Sequence, residues 1–267
     1  MTTLRVVSLG LTPYGDALEL QRSVAAAVIA GDIAEDVLLL VEHPPVVTIG
    51  RTSKEKHLLA SPALLKERGI ELFEVERGGD VTYHGPGQLV GYPIIDLKRH
   101  KQDLHWYLRQ LEESIIKTLE MLGIGGERNP GFTGVWTRGP AGLSAPAEPL
   151  PEHSEVAESL TRGAPPRPQT AALRKIASIG VHARDWVTWH GFALNVSTDL
   201  KNFEVIVPCG IDGVTMTSIA REVGGIVVTV DDVGGAFVQA FCDVFKLEQS
   251  SWTAEQLRDQ LRATTSG

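Results

Sequence analysis

No stretch of this chain approaches the ~20 consecutive apolar residues that a bilayer-spanning helix requires. Only two cysteines, Cys209 and Cys242, occur in 267 residues, with no C-x-x-C spacing, so a disulfide framework is excluded. There is no H-E-x-x-H, and the eight histidines lack metal-ligand spacing, so no metal is expected. No Walker lysine is present, because Gln88 follows Gly85-Pro86-Gly87. The same glycines do not extend into G-x-G-x-x-G, since Val90 occupies the last position. The start, Met1-Thr2-Thr3-Leu4-Arg5, lacks the charged-then-apolar layout of a signal peptide. Together these absences predict a cytoplasmic, reducing address without membrane attachment. A net charge of −8 argues against nucleic acid as a partner.

The composition present, 43% hydrophobic and 22% charged, is that of an ordinary globular protein. Strand patterns are expected at residues 4–11, 37–41 (resumed at 46–49 after Pro44-Pro45), 70–76, 89–95, 131–136, 175–181 and 192–196. Helices are predicted after Thr12-Pro13, after Ser61-Pro62, and from Asp103 with the stripe Leu104, Leu108, Leu111, Ile115, Leu119 and Leu122. Two more carry Val233, Phe237, Phe241, Val244 and Phe245, and residues 253–262. Clustered strands separated by isolated helices predict an α+β fold, with a mixed, largely antiparallel sheet flanked by helices. Residues 139–170 hold seven of the fifteen prolines and show no apolar period. They read as a mobile insertion within a single domain spanning 1–267.

The most informative segment is residues 77–88: Arg77, Gly78, Gly79, Asp80, Val81, Thr82, Tyr83 and His84, then Gly85-Pro86-Gly87-Gln88. Four glycines and one proline in twelve residues exceed the needs of a hairpin. They predict a loop wrapping a ligand, with Arg77 and His84 aimed into it; a purely structural turn is the bland alternative. Cys209 lies in Val207-Pro208-Cys209-Gly210, where flanking Pro and Gly place it at a bend. A lone cysteine is more often a small hydrophobe than a nucleophile, and Cys242, beside an apolar helical stripe, fits that description. Lys175 opens a strand, a position usually solvated. Paired with Cys209 it gains meaning: a thiol is mostly protonated at neutral pH, and a neighbouring ammonium favours the thiolate. His84, His182 and His190 are further candidates for proton handling.

Three segments together resemble the octanoyltransferases of lipoate biosynthesis, in the lipoate/biotin protein ligase superfamily. They are residues 77–88 continuing to Tyr92, residues 175–181 with His190-Gly191-Phe192-Ala193-Leu194-Asn195, and Pro208-Cys209-Gly210. The resemblance implies the ligase catalytic fold, no cofactor, and octanoyl transfer from acyl carrier protein to a lipoyl-domain lysine. The acceptors implied are the lipoyl domains of 2-oxoacid dehydrogenase E2 subunits and the glycine cleavage H protein. It makes Cys209 the acyl-thioester nucleophile and Lys175 the group that favours its thiolate. Residues 77–84, Ser178, Ile179 and Gly180, and Gly191, Phe192 and Ala193 become acyl-binding segments. The glycines are expected to leave room for an acyl slot, and a turn at Ser178 to Gly180 to help hold an oxyanion.

An acidic carrier needs a basic face, and two runs could supply it: Lys98-Arg99-His100-Lys101, or Arg51 with Lys54 and Lys56. Three alternatives remain at this level. One is an ATP-dependent lipoate or biotin ligase, which needs no nucleophilic cysteine. Another is a cysteine hydrolase pairing Cys209 with His84 or His182. The last is a non-catalytic module that only binds lipoyl domains.

Overall fold

The computed structural model describes residues 2–138, 173–211, 213–224 and 227–265. The segment 139–170, expected above to be a mobile insertion, lies outside them. The chain runs β1 (Thr2–Leu11), α1 (Tyr14–Ala30), β2 (Asp36–Glu42), β3 (Val46–Ile49), α2 (Pro62–Glu67), β4 (Glu71–Glu74), β5 (Val81–His84) and β6 (Gln88–Ile94). It continues through α3 (Leu104–Met121), β7 (Gly126–Asn129), β8 (Phe132–Thr137), β9 (Arg174–Arg184) and β10 (Val187–Asn195). The last elements are α4 (Ile219–Val223), α5 (Val230–Phe245), β11 (Leu247–Trp252) and α6 (Ala254–Thr265).

Among the described residues, eight strands form one sheet in the order β11-β1-β2-β6-β10-β9-β8-β7. β1 runs parallel to β11 and β2, and the remaining neighbours are antiparallel, so the sheet is mixed as expected. Alternation along β2 explains its central place. Leu38 and Leu40 join the core under α3 and α5, while Val37, Leu39 and Val41 join the core under α1. A strand apolar on both faces is stable only between two helical layers. Local chemistry sets the helix ends. Asp103 Oδ1 accepts from Trp106 N–H at the start of α3, and Thr229 and Asp232 form a reciprocal capping box on α5. Gly31, at φ 86°, ends α1.

The structure departs from the sequence expectations in three places. Residues 46–49 do not resume β2. Pro44-Pro45 lack the N–H groups a ladder needs, and β3 starts a separate sheet of order β4-β3-β5. The glycine-rich segment is not all loop, since β5 lies inside it and pairs antiparallel with β3. β11, with sequence LEQSSW, carries too few apolar residues to show a strand pattern, yet it pairs with β1 in register Leu4↔Gln249. No helix among the described residues is long and apolar enough to cross a membrane.

The α5 stripe is a test of the core. Phe241 is fully buried, stacked on Phe245 at 4.3 Å and tilted against Phe237 at 5.6 Å. Phe241→Ala is expected to lower stability by about 3–5 kcal/mol, read as a fall in the denaturant midpoint at unchanged slope.

Candidate active site

The two residues of interest are 34 positions apart in sequence and meet in space: Lys175 Nζ donates to Cys209 Sγ at 3.2 Å. Each is held by backbone bonds. Lys175 N–H donates to Thr215 O at 2.8 Å, and Thr217 N–H donates to Lys175 O at 2.9 Å. The β8–β9 ladder slips by one position between Val135 and Trp136, beside Gly134 at φ +124°. That irregularity brings Thr133 O within 3.1 Å of Nζ, and the Trp136 ring lies 5.3 Å from it. Lys175 is therefore 1% exposed, not solvated like most lysines that open strands.

Cys209 sits in a 3-10 turn, Pro208–Gly210, with φ 55° and ψ 18°. A non-glycine residue in this left-handed region costs ~1–2 kcal/mol and persists where its surroundings impose it. Here Gly210 N–H bonds back to Val207 O at 2.9 Å, and Val207 N–H donates to His57 O at 2.8 Å. Ser178 Oγ lies 3.5 Å from the sulfur. Cys242 differs: it packs beside the α3/α5 core, and burial pushes its thiol up to about 11.

Both residues border a cavity of about 310 Å³. Its wall takes Arg77, Gly79, Asp80, Val81, Thr82 and His84 from the glycine-rich segment, with Ser178, Ile179 and Gly180 from β9, and Gly191, Phe192 and Ala193 from β10. Gly78 and Tyr83, expected in the same role, are not in this wall. Gly78 N–H is tied to Val181 O at 2.8 Å. Tyr83 packs edge-on to Phe203 at 5.5 Å in the core beneath the small sheet. Ser178, Ile179 and Gly180 form no turn; they are strand residues paired with Ala193, Phe192 and Gly191.

Gly79 and Gly191, expected to leave room for an acyl chain, line the cavity, and two further glycines, Gly50 and Gly180, pack beside the buried Arg77. Arg77 is 7% exposed, and its guanidinium donates to Thr48 O at 2.8 Å and Thr48 Oγ1 at 2.9 Å. A Cβ on Gly50 would lie 2.7 Å from Arg77 Nη1, and one on Gly180 would lie 3.1 Å from Arg77 Cδ. The nearest obstacles to such a Cβ are the carbonyl oxygens of Gly79 and Gly78, so these glycines allow close approach of the neighbouring backbone and clear the Arg77 side chain beside it.

His84 Nδ1 lies 2.8 Å from Gln88 Oε1, and burial holds its imidazole down to about 3. It is neutral at pH 7 and no partner for the thiol among the contacts described. His182 packs edge-on to Trp189 at 4.3 Å and does not line the cavity, whereas His190 does. Tyr14 and Tyr92 also line it, and sequence reading missed both as site residues. His43, whose Nε2 is 2.6 Å from Tyr92 Oη, is held down to about 4 by burial. No group of three or more histidine, cysteine or carboxylate side chains that could hold a metal occurs among the described residues.

A profile of the lipoyl protein ligase A/B catalytic domain matches residues 13–242. An octanoyltransferase of Gloeobacter violaceus is 44% identical over 244 residues, covering 90% of this chain and 89% of the relative. One of Solibacter usitatus is 45% identical over 240 residues, covering 90% of this chain and 92% of the relative. Among solved structures, a bipartite lipoate protein ligase from Thermoplasma acidophilum superposes with TM-score 0.67 at 17% identity. It covers 100% of this chain and 93% of that one. An ATP-bound lipoate-protein ligase A superposes with TM-score 0.65 at 17% identity, covering 100% of this chain and 95% of that one. At such identities the superpositions speak for the fold alone.

Two outcomes test this geometry. A Cβ at Gly134 would lie 2.6 Å from Ala177 O and 3.0 Å from Lys175 Cε. Gly134→Ala should therefore displace Nζ and cut turnover on the order of 10²-fold, with Cys209 still open to alkylation. His43 and His84 should also shape acid stability. The unfolded chain takes up their protons near ~6.5, whereas the folded chain resists until about 4 and about 3. Their contribution is full above pH ~6.5 and is lost as pH falls toward the folded values. The urea midpoint should drop from pH 7 to 4.5, less steeply in a His43→Gln, His84→Gln double variant.

Proposed function

The chain belongs to the lipoyl protein ligase A/B catalytic-domain family and is an octanoyltransferase of protein lipoylation, and from this premise we propose that it works by a Cys209 acyl-thioester. The observation that carries this reading is the 3.2 Å contact between Lys175 Nζ and Cys209 Sγ at the wall of the cavity. The donor is octanoyl-acyl carrier protein. Acceptors are lipoyl domains, among them those of 2-oxoacid dehydrogenase E2 subunits and the glycine cleavage H protein. The reaction runs in the cytoplasm, in one catalytic domain.

The steps balance without a nucleotide. Thiolate Cys209 attacks the carrier thioester, the bond to the phosphopantetheine sulfur breaks, and that sulfur takes a proton from the Lys175 ammonium. Octanoyl is then on Cys209, and Lys175 is a neutral amine. The acceptor lysine, as free amine, adds to the new thioester. Lys175 takes a proton from its nitrogen, the Cys209 C–S bond breaks, and the starting ammonium–thiolate pair returns. Thioester exchange is near even and thioester-to-amide transfer runs downhill. Lys175 Nζ also supplies a charged donor beside the carbonyl that becomes an oxyanion. Gly210 and Ile211 N–H groups are already used within the turn, by Val207 O and Pro208 O.

The charge distribution favours one of the two basic runs for carrier docking. Arg99 pairs with Asp36 at 2.5 Å, Lys101 with Asp103 at 3.1 Å and Lys98 with Asp96 at 3.8 Å, which leaves that run largely neutralised. Arg51, Lys54 and Lys56 are exposed and have no ion pair among the described residues. Arg51 N–H donates to Arg77 O at 3.1 Å, which sets this run at the cavity rim.

Intact-mass analysis after incubation with octanoyl carrier protein tests the reading. One octanoyl group should add to the wild type and to Cys242→Ser but not to Cys209→Ser; labelling that follows Cys242 would reassign the nucleophile. Reversing Arg51, Lys54 and Lys56 to Glu should raise the carrier KM on the order of tenfold in low salt, with smaller effects from Lys98, Arg99 and Lys101.

A further inference from the structure

The charge lining the cavity is unbalanced. Arg77 and Lys175 bring two cationic side chains to its wall, and Asp80 is the sole carboxylate lining it among the described residues. Asp80 sits against the reactive turn, since a Cβ on Gly210 would lie 2.4 Å from Asp80 Oδ2. Its carboxylate is fixed from two sides. Oδ1 accepts Val81 N–H at 2.7 Å, and His57 Nδ1 lies 2.6 Å from Oδ2. The two side chains are 11% and 8% exposed, respectively. A carboxylate offers about four lone-pair sites, so this arrangement leaves acceptor capacity open beside Cys209.

That capacity meets a need of the second half-reaction. With a free pKa of ~10.4, the acceptor lysine arrives as an ammonium, and it approaches a wall that carries the Arg77 guanidinium, Lys175 being the neutral amine at that stage. Resting on the acyl-transfer reading above, we propose that Asp80, oriented by His57, receives the ε-ammonium of the acceptor lysine and aligns it with the Cys209 thioester. The bound ammonium releases one proton to water before it attacks, and Lys175 takes the second as the amide forms; the carboxylate stabilises the charged amine and does not help that first loss. Asp80 therefore contributes to acceptor binding, and its removal raises the acceptor KM more than it lowers kcat.

The experiment separates the half-reactions on the full-length enzyme. Cys209 is loaded from octanoyl carrier protein and followed by rapid-quench mass spectrometry. Octanoyl is then released either by a lipoyl domain at varied concentration or by hydroxylamine, a neutral amine at pH 7. In Asp80→Asn, the lipoyl-domain KM should rise about tenfold or more beyond any change in loading or in hydroxylamine release. His57→Asn should shift the same KM in the same direction by less. An unchanged KM overturns the proposal, as does an equal slowing of loading and both releases, which would make Asp80 only a brace for the thiol turn. A second arm uses the wild-type enzyme and is independent of variant folding. A lipoyl domain with Arg in place of its acceptor lysine should inhibit about tenfold more tightly than one with Met, and equal inhibition overturns the proposal. If the wild type takes up no octanoyl, the transfer reading itself falls. If it loads normally and the competitors act alike, only the role of Asp80 falls.

Discussion

An ammonium group removed from water beside a thiol is the constraint around which this molecule is arranged. Lys175 is 1% exposed, and an isolated buried ammonium costs several kcal/mol. Its described contacts are a carbonyl oxygen, an indole face and the Cys209 sulfur. Of these only the sulfur can become an anion. The cost of burial is thus lowered by the ionised form of the nucleophile, which links the stability of the site to its reactivity. Such a pair tolerates little slack, and both partners are fixed through main-chain bonds: Lys175 between Thr215 and Thr217, and Cys209 through the turn anchored on His57.

The fold delivers that precision by joining two sheets at one corner. The large sheet supplies β9 and β10, whose registered pairing sets Ser178, Ile179 and Gly180 opposite Ala193, Phe192 and Gly191. The small sheet supplies β5 and carries Arg77, Asp80 and His84 to the opposite wall. The first helix adds Tyr14, whose hydroxyl burial pushes up to about 12 and so keeps neutral. Of the three histidines noted in the sequence for proton handling, His84 and His190 are wall residues whose pKa burial lowers, while His182 lies off the wall. On the proposed mechanism protons move between Lys175 and Cys209, and Asp80 is the carboxylate among the described lining residues.

Much of this was legible in the chain because its causes are local. Period-two and period-3.6 apolar patterns mark β2, α3 and α5, and capping residues such as Asp103 mark where helices begin. The elements that stayed hidden have no local signature. β11 is polar along most of its length and exists because β1 offers a parallel edge. β5 sits among glycines whose composition reads as loop, and β3 pairs with it because Pro44-Pro45 turn the chain out of the first sheet. Arg77 drew notice as a ligand contact, but that Gly50 and Gly180 let the backbone at Gly79 and Gly78 approach closely beside its side chain appears only when distant segments are brought together in space.

The sequence by itself determined the class of fold and the family and singled out Cys209 and Lys175, since these rest on residue type and on spacing within short motifs. Only the tertiary structure decided that Lys175 is buried, that Gly78 and Tyr83 turn away from the cavity, and that His57 stands behind Asp80. Burial and facing depend on which strands pair and in what register. Contacts between positions 23, 34 or more residues apart are set by that pairing and leave no trace in the local pattern.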